Sequence, residues 1–347
     1  MDKQHFLIVG AGVAGICLAK YLADEGHSVT IFDNGKNRSS AIAAGMINPI
    51  VFRRMTKSWR VDELLPYAQQ LYTSFGRECG SDFFHPITIR RIFSSEQEKN
   101  FWLDKQHLPE FSDYLTPVTE EDLTFNGCHN PLGTGRVTNA SYVSTIDFLT
   151  RSKQWFAKHH SLLNEAFSYE ELDPVQLTYK GIKYNDVIFC EGVEVIHNPW
   201  FSEIPVNHTK GETLTIQSSD IPETESLNRK CFLLPIGDHT FRVGATYAWD
   251  TYESIVTPEA RQELEEKLAI LTNAPYEVID QNAGIRPTTM DRRPIIGTHG
   301  TFSGLHVLNG LGTKGYMIAP LITKEFGEYL LYGKPLHPEV DLKRCTK

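Results

Sequence analysis

The sequence predicts an α/β chain. One domain, built on a parallel sheet, is split in sequence, and a smaller α+β domain built on an antiparallel sheet is inserted between its parts. Three observations predict this. An apolar run at the N-terminus leads straight into a glycine cluster and then a helical pattern, as a β-α-β unit requires. A strand, a glycine loop and a helix recur near the C-terminus, over 305–332. Between them, short β-forming runs at 213–216, 232–235 and 241–245 lie in the pattern of an antiparallel sheet. At ~150 residues per domain, 347 residues suggest two domains. We expect 1–80, 140–204 and 282–347 to form the split domain, and 81–139 with 205–281 the inserted one.

Each element has a local reason. Residues 6–9 are apolar throughout, as a strand covered on both faces must be. Residues 16–24 are helical, with Leu18, Ala19 and Leu22 facing the sheet and Gly26 ending the helix. Residues 29–32 form the second strand, with Asp33 at its tip. Leu64, Leu65, Ala68, Leu71, Tyr72 and Phe75 recur at helical spacing within 61–77. A strand over 86–93 precedes a helix to 103 that Ser94 or Ser95 opens. Further helices are expected over 145–158 and over 258–271, the latter with Pro258 in its first turn. Residues 186–190 and 305–308 are short apolar strands. The last helix, 316–332, is closed by Gly333 and Pro335.

Composition excludes several classes. Lys and Arg total 34 against 43 Asp and Glu, a net charge of −9. The basic pairs Arg53-Arg54, Arg90-Arg91 and Arg292-Arg293 form no stripe, so nucleic acid is not an expected partner. No stretch approaches the ~20 apolar residues of a membrane span, and the first apolar run is too short for a signal peptide. A cytoplasmic location follows as the expectation. The six cysteines include no C-x-x-C pair and read as free thiols of a reducing compartment. His159-His160 lacks a third ligand at metal spacing, and no metal is expected.

The first chemical motif is Gly10-x-Gly12-x-x-Gly15, between a strand and a helix, with an acid 21 positions after Gly12. Gly10 permits the tight turn, Gly12 lets a pyrophosphate approach the helix N-terminus, and Gly15 lets helix and strand lie close. Asp33 can accept from both ribose hydroxyls. NAD and FAD both fit this motif. The small residues of 39–49 permit an extended cofactor to pass, or form an ordinary surface loop. The second glycine loop, 310–315, opens a helix whose free N–H groups would favour an anion, or it is a flexible turn. Arg286, between apolar and rigid neighbours, needs an anionic partner: a substrate carboxylate held bidentately, or an internal acid.

Taken in order, these residues resemble the D-amino-acid oxidase superfamily of FAD enzymes, in the style of glycine oxidase and sarcosine oxidase. The set comprises the first loop with Asp33, residues 43–46, 206–211, 234–235, 243–246, 284–297 and 310–320, and spans nearly the whole chain. The resemblance implies a discontinuous Rossmann-type FAD-binding domain and non-covalent FAD. Val13 and Ala14 would meet the pyrophosphate, and Asp33 and Asn34 the adenosine ribose. Ser40, Ala41, Ala44, Gly45 and Met46 would run along the pyrophosphate, ribityl chain and ring. Phe167 falls at the adenine, and Gly192 at a step where the family prefers small residues, here preceded by the bulkier Glu191. Leu311, Gly312, Thr313, Lys314, Gly315, Tyr316 and Met317 would hold the pyrimidine edge.

Arg286 matches the family's substrate-carboxylate arginine. Phe232 stands where glycine oxidase has a substrate-binding tyrosine, for which Tyr247 or Tyr252 could substitute. Arg242 stands near the oxygen-activating lysine of sarcosine oxidase. The implied activity is oxidation of the C–N bond of a small amino acid or secondary amine by hydride transfer to flavin N5, with dioxygen or another acceptor reoxidising the flavin. A 2-hydroxy-acid dehydrogenase, with His306 or His208 as base, and an enzyme acting on an aminomethyl group of a modified tRNA base are the alternatives. The expected partner is a small carboxylate-bearing substrate, and a homo-oligomer is left open.

Overall fold

The computed structural model describes residues 2–345 apart from Asn37, His129 and Asp250. Two sheets organise it. The first has six strands in the order Ile295–Thr298, Leu305–Asn309, Asp186–Phe189, His5–Val9, Ser28–Phe32 and Ser161–Leu163. All neighbours run parallel except Ile295–Thr298 and Leu305–Asn309, which run antiparallel. Ile8 sits in register with both Ile31 and Ile188, so the strand carrying the first glycine loop is central. Phe6, Leu7 and Ile8 are wholly buried, as their apolar run predicts.

Helices cover one face of this sheet. Val13–Asp24 packs against Gly315–Tyr332, and the latter against Val61–Cys79. The two ends of the chain therefore meet on one layer. The first of these helices begins at Val13, three residues before the sequence reading, with Gly12 as its N-cap. On the opposite face a small three-stranded meander (Leu172–Asp173, Thr178–Tyr179 and Ile182–Lys183) closes a second core around Phe32, Tyr179, Phe189 and Val307.

The second sheet has nine strands. Its path runs Ala248–Trp249, Asn207–Gln217, Thr240–Gly244, Cys231–Gly237, Glu225–Arg229, Phe84–Ile92, Thr134–Val143 and Met46–Ile47, with Glu277–Thr288 paired to Asn207–Gln217. The expected antiparallel character holds at every pairing but one: Glu225–Arg229 lies parallel to Phe84–Ile92, with Ser226 opposite Ile89. Those strands come from separate stretches of chain. No hairpin joins them, so nothing forces an antiparallel return.

The local signals of the sequence recur at the element ends. Ser95 caps the helix Glu96–Lys105 by accepting from Glu98 N at 3.2 Å, and Thr257 caps Pro258–Leu268 through Ala260 N at 3.2 Å. Gly333 ends Gly315–Tyr332 at φ 65°. Among the strands that went unread in the sequence, the two longest are Thr134–Val143 and Glu277–Thr288. Met46–Ile47 belongs to the second sheet through Met46 opposite Tyr142. The segment after the second strand thus bridges the two sheets, and the main cavity lies at that junction.

Candidate active site

A cavity of about 910 Å³ opens between the sheets and is lined by both glycine loops, the 39–48 segment and the strand that carries Arg286. The first loop is sterically committed. Gly10 adopts φ 102°, and a Cβ there would sit 2.5 Å from Cys190 O. At Gly15 a Cβ would sit 1.9 Å from Gly10 O, so this glycine allows helix and strand to touch and does not itself line the cavity. Gly12 does line it. A Cβ there would come within 3.0 Å of Ser40 Oγ, which accepts from Val13 N at 3.1 Å. The helix N-terminus, with no acid in its first turn, faces the cavity.

Val13, Ala14, Asp33 and Asn34 share this wall. Asp33 accepts from Ala11 N at 3.2 Å through Oδ1 and from Lys153 Nζ at 2.5 Å through Oδ2. Lys153 was not foreseen, because it lies 120 residues away in the helix Thr145–His159. Phe167 stacks on Tyr179 with ring centroids 4.4 Å apart and presents itself to the cavity beside Gly192. Glu191 receives Tyr169 Oη at 2.5 Å and Asn198 Nδ2 at 2.8 Å. Burial pushes its carboxyl up to about 7.

The bridging segment is held from below. Thr145 Oγ1 donates to Ala41 O at 3.0 Å, and Ser39 Oγ to Ile285 O at 2.5 Å. Gly45, at φ 71°, passes so close to Val143 that a Cβ would lie 2.1 Å from its carbonyl oxygen. Ser40, Ala44, Gly45 and Met46 line the cavity, whereas Ala41 does not. Arg242 is also off the wall. Its Nη1 donates to Ala43 O at 2.8 Å, and burial lowers its basicity. The structure thus makes it a support of the bridging segment instead of a group facing a reaction.

At the second loop, Gly310 and Gly312 take φ of 73° and 60°. The helix Gly315–Tyr332 starts without a side-chain cap. Leu311, Gly312, Thr313, Lys314, Gly315 and Tyr316 line the cavity, while Met317 is buried in the core beneath. Tyr316 Oη donates to Ser40 O at 2.8 Å and ties the two ends of the chain together. Lys314 Nζ donates to Asn48 O at 3.0 Å and to Ser58 Oγ. Burial, reinforced by Arg292, pulls its ammonium down to about 8.

Arg286 stands on the cavity wall with no acid within salt-bridge distance among the described residues. Its Nη1 is buried and finds no hydrogen-bond acceptor. The guanidinium lies over Tyr247 at 4.8 Å and flat on Gly211, where a Cβ would meet Nη2 at 2.0 Å. The internal-acid alternative is therefore not what the structure contains. An orphaned, desolvated cation on a cavity wall calls for an anionic ligand. Gly211 was missed as a functional position. A glycine in the middle of a strand signals close approach, but not of what.

Tyr252 packs on His208 at 4.7 Å and, like it, stays off this wall. His306 is spent on Asp186 and Thr298, both at 2.9 Å, within the first sheet.

The described residues include no helix long and apolar enough to cross a membrane and no group of three metal-ligating side chains. The wall fits FAD on its own chemistry. Two helix starts without an N-cap side-chain bond and two glycine turns face one cavity, and a Cβ at Gly12 would intrude on it.

Comparison with known proteins agrees. The model of the family described as "FAD dependent oxidoreductase" (DAO) matches residues 5–329. Glycine oxidase of Bacillus subtilis (strain 168) is 24% identical over 346 residues, covering 92% of this chain and 91% of its own length. Among solved structures, glycine oxidase from Geobacillus kaustophilus superposes with a TM-score of 0.81 at 20% identity, covering 96% of each chain. Iminodiacetate oxidase from Chelativorans sp. BNC1 superposes with a TM-score of 0.78 at 19% identity, covering 98% of each chain. With two glycine loops meeting at one cavity and a family match over nearly its whole length, the chain belongs to the DAO family of FAD-dependent oxidoreductases.

Proposed function

We propose that the chain oxidises the C–N bond of a small amino acid or secondary amine whose carboxylate is clamped by Arg286. The observation that carries this reading is the guanidinium itself: on the wall of the cofactor cavity, without an acid partner, with a buried nitrogen lacking an acceptor. A planar fork pairs with a carboxylate through two parallel N–H···O bonds. Tyr247 beneath it holds its plane, and Gly211 leaves the room it occupies. Anchoring one end of the substrate fixes where its Cα–H points, and orientation of this kind supplies a large share of a rate enhancement.

When bound, FAD supplies the electron acceptor, taking hydride from the substrate carbon at N5. The substrate nitrogen must be neutral at that moment, because its lone pair stabilises the cation left on carbon. Water then adds to the C=N bond and releases the amine. No strong protein base is required, and neither His208 nor His306 lines the cavity, which counts against the hydroxy-acid alternative. The names of the similar proteins, glycine oxidase and iminodiacetate oxidase, point the same way. FAD is read as non-covalent, with the first loop and Asp33 at its adenosine half and residues 311–316 at its ring.

The test is an anaerobic screen of glycine, sarcosine and other small amines, acids and hydroxy acids against the yellow protein. Bleaching by amino acids or N-substituted glycines, and not by the matching hydroxy acids, is expected. Bleaching by hydroxy acids alone would overturn the reading.

A further inference from the structure

The charges of the cavity wall are segregated. Its acids are Asp33, Glu165, Glu191 and Glu194, all at the edge of the first sheet. Its lysines and arginines are Arg53, Arg91, Lys230, Arg286 and Lys314, of which only Lys314 follows a strand of the first sheet. Arg286 has the role proposed above, and Lys314 is tied to the bridging segment. Three cations remain, gathered at the far side of the second sheet.

Neighbours in chain and register connect them, and Arg53 and Lys230 are exposed. Arg91 stacks on Phe52 at 4.7 Å, beside Arg53 in the chain. It donates to Asn228 Oδ1 at 2.6 Å and to Glu98 at 2.6 Å. Asn228 is in register with Arg91 on one side and with Phe232 on the other, and Lys230 stands at the tip of that hairpin with φ 58°. Glu98 neutralises Arg91. Arg53 and Lys230 have no acid within salt-bridge distance among the described residues, yet both line the cavity.

Such a group is more than an amine of glycine size needs. Between the Arg286 strand and the Arg91 strand lie five strand-to-strand steps, through Gly211, Gly244, Phe232 and Asn228. At ~4.8 Å per step this is about 24 Å along the sheet. A ligand that touches both ends is extended and negatively charged at both.

We propose that the far end of the cavity is a second oxyanion subsite, made by Arg53 and Lys230 beside Arg91 and Asn228, and that the substrate is an extended amino acid or amine bearing a carboxylate or phosphate at its distal end. This rests on the reading of Arg286 as the clamp for the first carboxylate. Arg91 and Asn228, locked together, give the subsite a fixed wall, and the two unpaired cations supply its charge.

The test reads binding, not turnover. The FAD-loaded protein is titrated with the straight-chain dicarboxylates from succinate to eicosanedioate, the longest of which can reach across the separation of the two strands, and with the monocarboxylates from butyrate to eicosanoate, following perturbation of the visible flavin band. Beyond a threshold length, the dicarboxylate is expected to bind about tenfold more tightly than the monocarboxylate of equal length, with the gain lost at high salt. In the Arg53→Gln/Lys230→Gln double variant each dicarboxylate binds as its monocarboxylate does. Equal binding of the two series at every length overturns the subsite and leaves the Arg286 clamp standing. No perturbation by either series overturns the clamp, and the subsite falls with it. If dicarboxylates gain nothing while a short single-stranded RNA shifts the band, the cations face a polynucleotide and the proposal is wrong.

Discussion

Replacing Gly211 by alanine tests the clamp without touching the arginine. The added Cβ would lie 2.0 Å from Nη2 of Arg286 and 2.3 Å from both Cζ and Nη1. Carbon and nitrogen come to rest at about 3.5 Å, so the guanidinium must move by roughly 1.5 Å. It can do so cheaply, being the free end of a flexible side chain, so the fold should survive. The bidentate geometry does not survive a shift of that size. Losing a charge-assisted pair costs about 2 kcal/mol, near 30-fold in affinity. Gly211→Ala should therefore weaken carboxylate binding by about 30-fold, read by flavin-band titration, with FAD content unchanged. Arg286→Ala added on top should cost little more, because both changes remove one interaction. Carboxylate binding within about twofold of the wild type in Gly211→Ala would show that Arg286 does not hold the carboxylate.

Three further outcomes follow from the geometry. Gly12→Val puts a branched side chain where even a Cβ meets Ser40 Oγ at 3.0 Å, and should give folded, colourless protein, checked by absorbance and circular dichroism. Arg242→Met removes the 2.8 Å bond to Ala43 O, which still keeps Thr145, and should cost about 1 kcal/mol in a denaturant titration while flavin reoxidation by dioxygen proceeds as before. Glu191 has a carboxyl raised to about 7 from an ordinary 4.5, so between those values the folded state binds more protons than the unfolded. Stability should then fall as pH rises through that window, by about 3 kcal/mol in all. Glu191→Gln should flatten this slope in melts across the range, and an unaltered slope would show that another group titrates.

What the sequence reveals is what depends on near neighbours. The strand His5–Val9, the turn at Gly10 and the helix after Gly12 carry their reasons within a dozen residues, and so does the helix Gly315–Tyr332 with its glycine terminator. The strand Glu277–Thr288 was hidden because its alternation is broken by Gly284 and Pro287, and because its partner Asn207–Gln217 lies some seventy positions earlier, shifted in register at Thr215. The same distance concealed Lys153 behind Asp33 and Gly211 beneath Arg286. Arg242 shows the converse. Its position in the strand was legible, but only the packing of one sheet against the other turns its guanidinium toward the carbonyl of Ala43.

In the proposed function one guanidinium holds the substrate while the rest of the cavity holds the flavin. Anaerobic titration of Arg286→Ala with an amino acid that bleaches the wild type tests it most directly. The variant should stay yellow with full FAD content and resist reduction until the amino acid is raised by about 30-fold. Bleaching at the wild-type concentration would show that the carboxylate is held elsewhere.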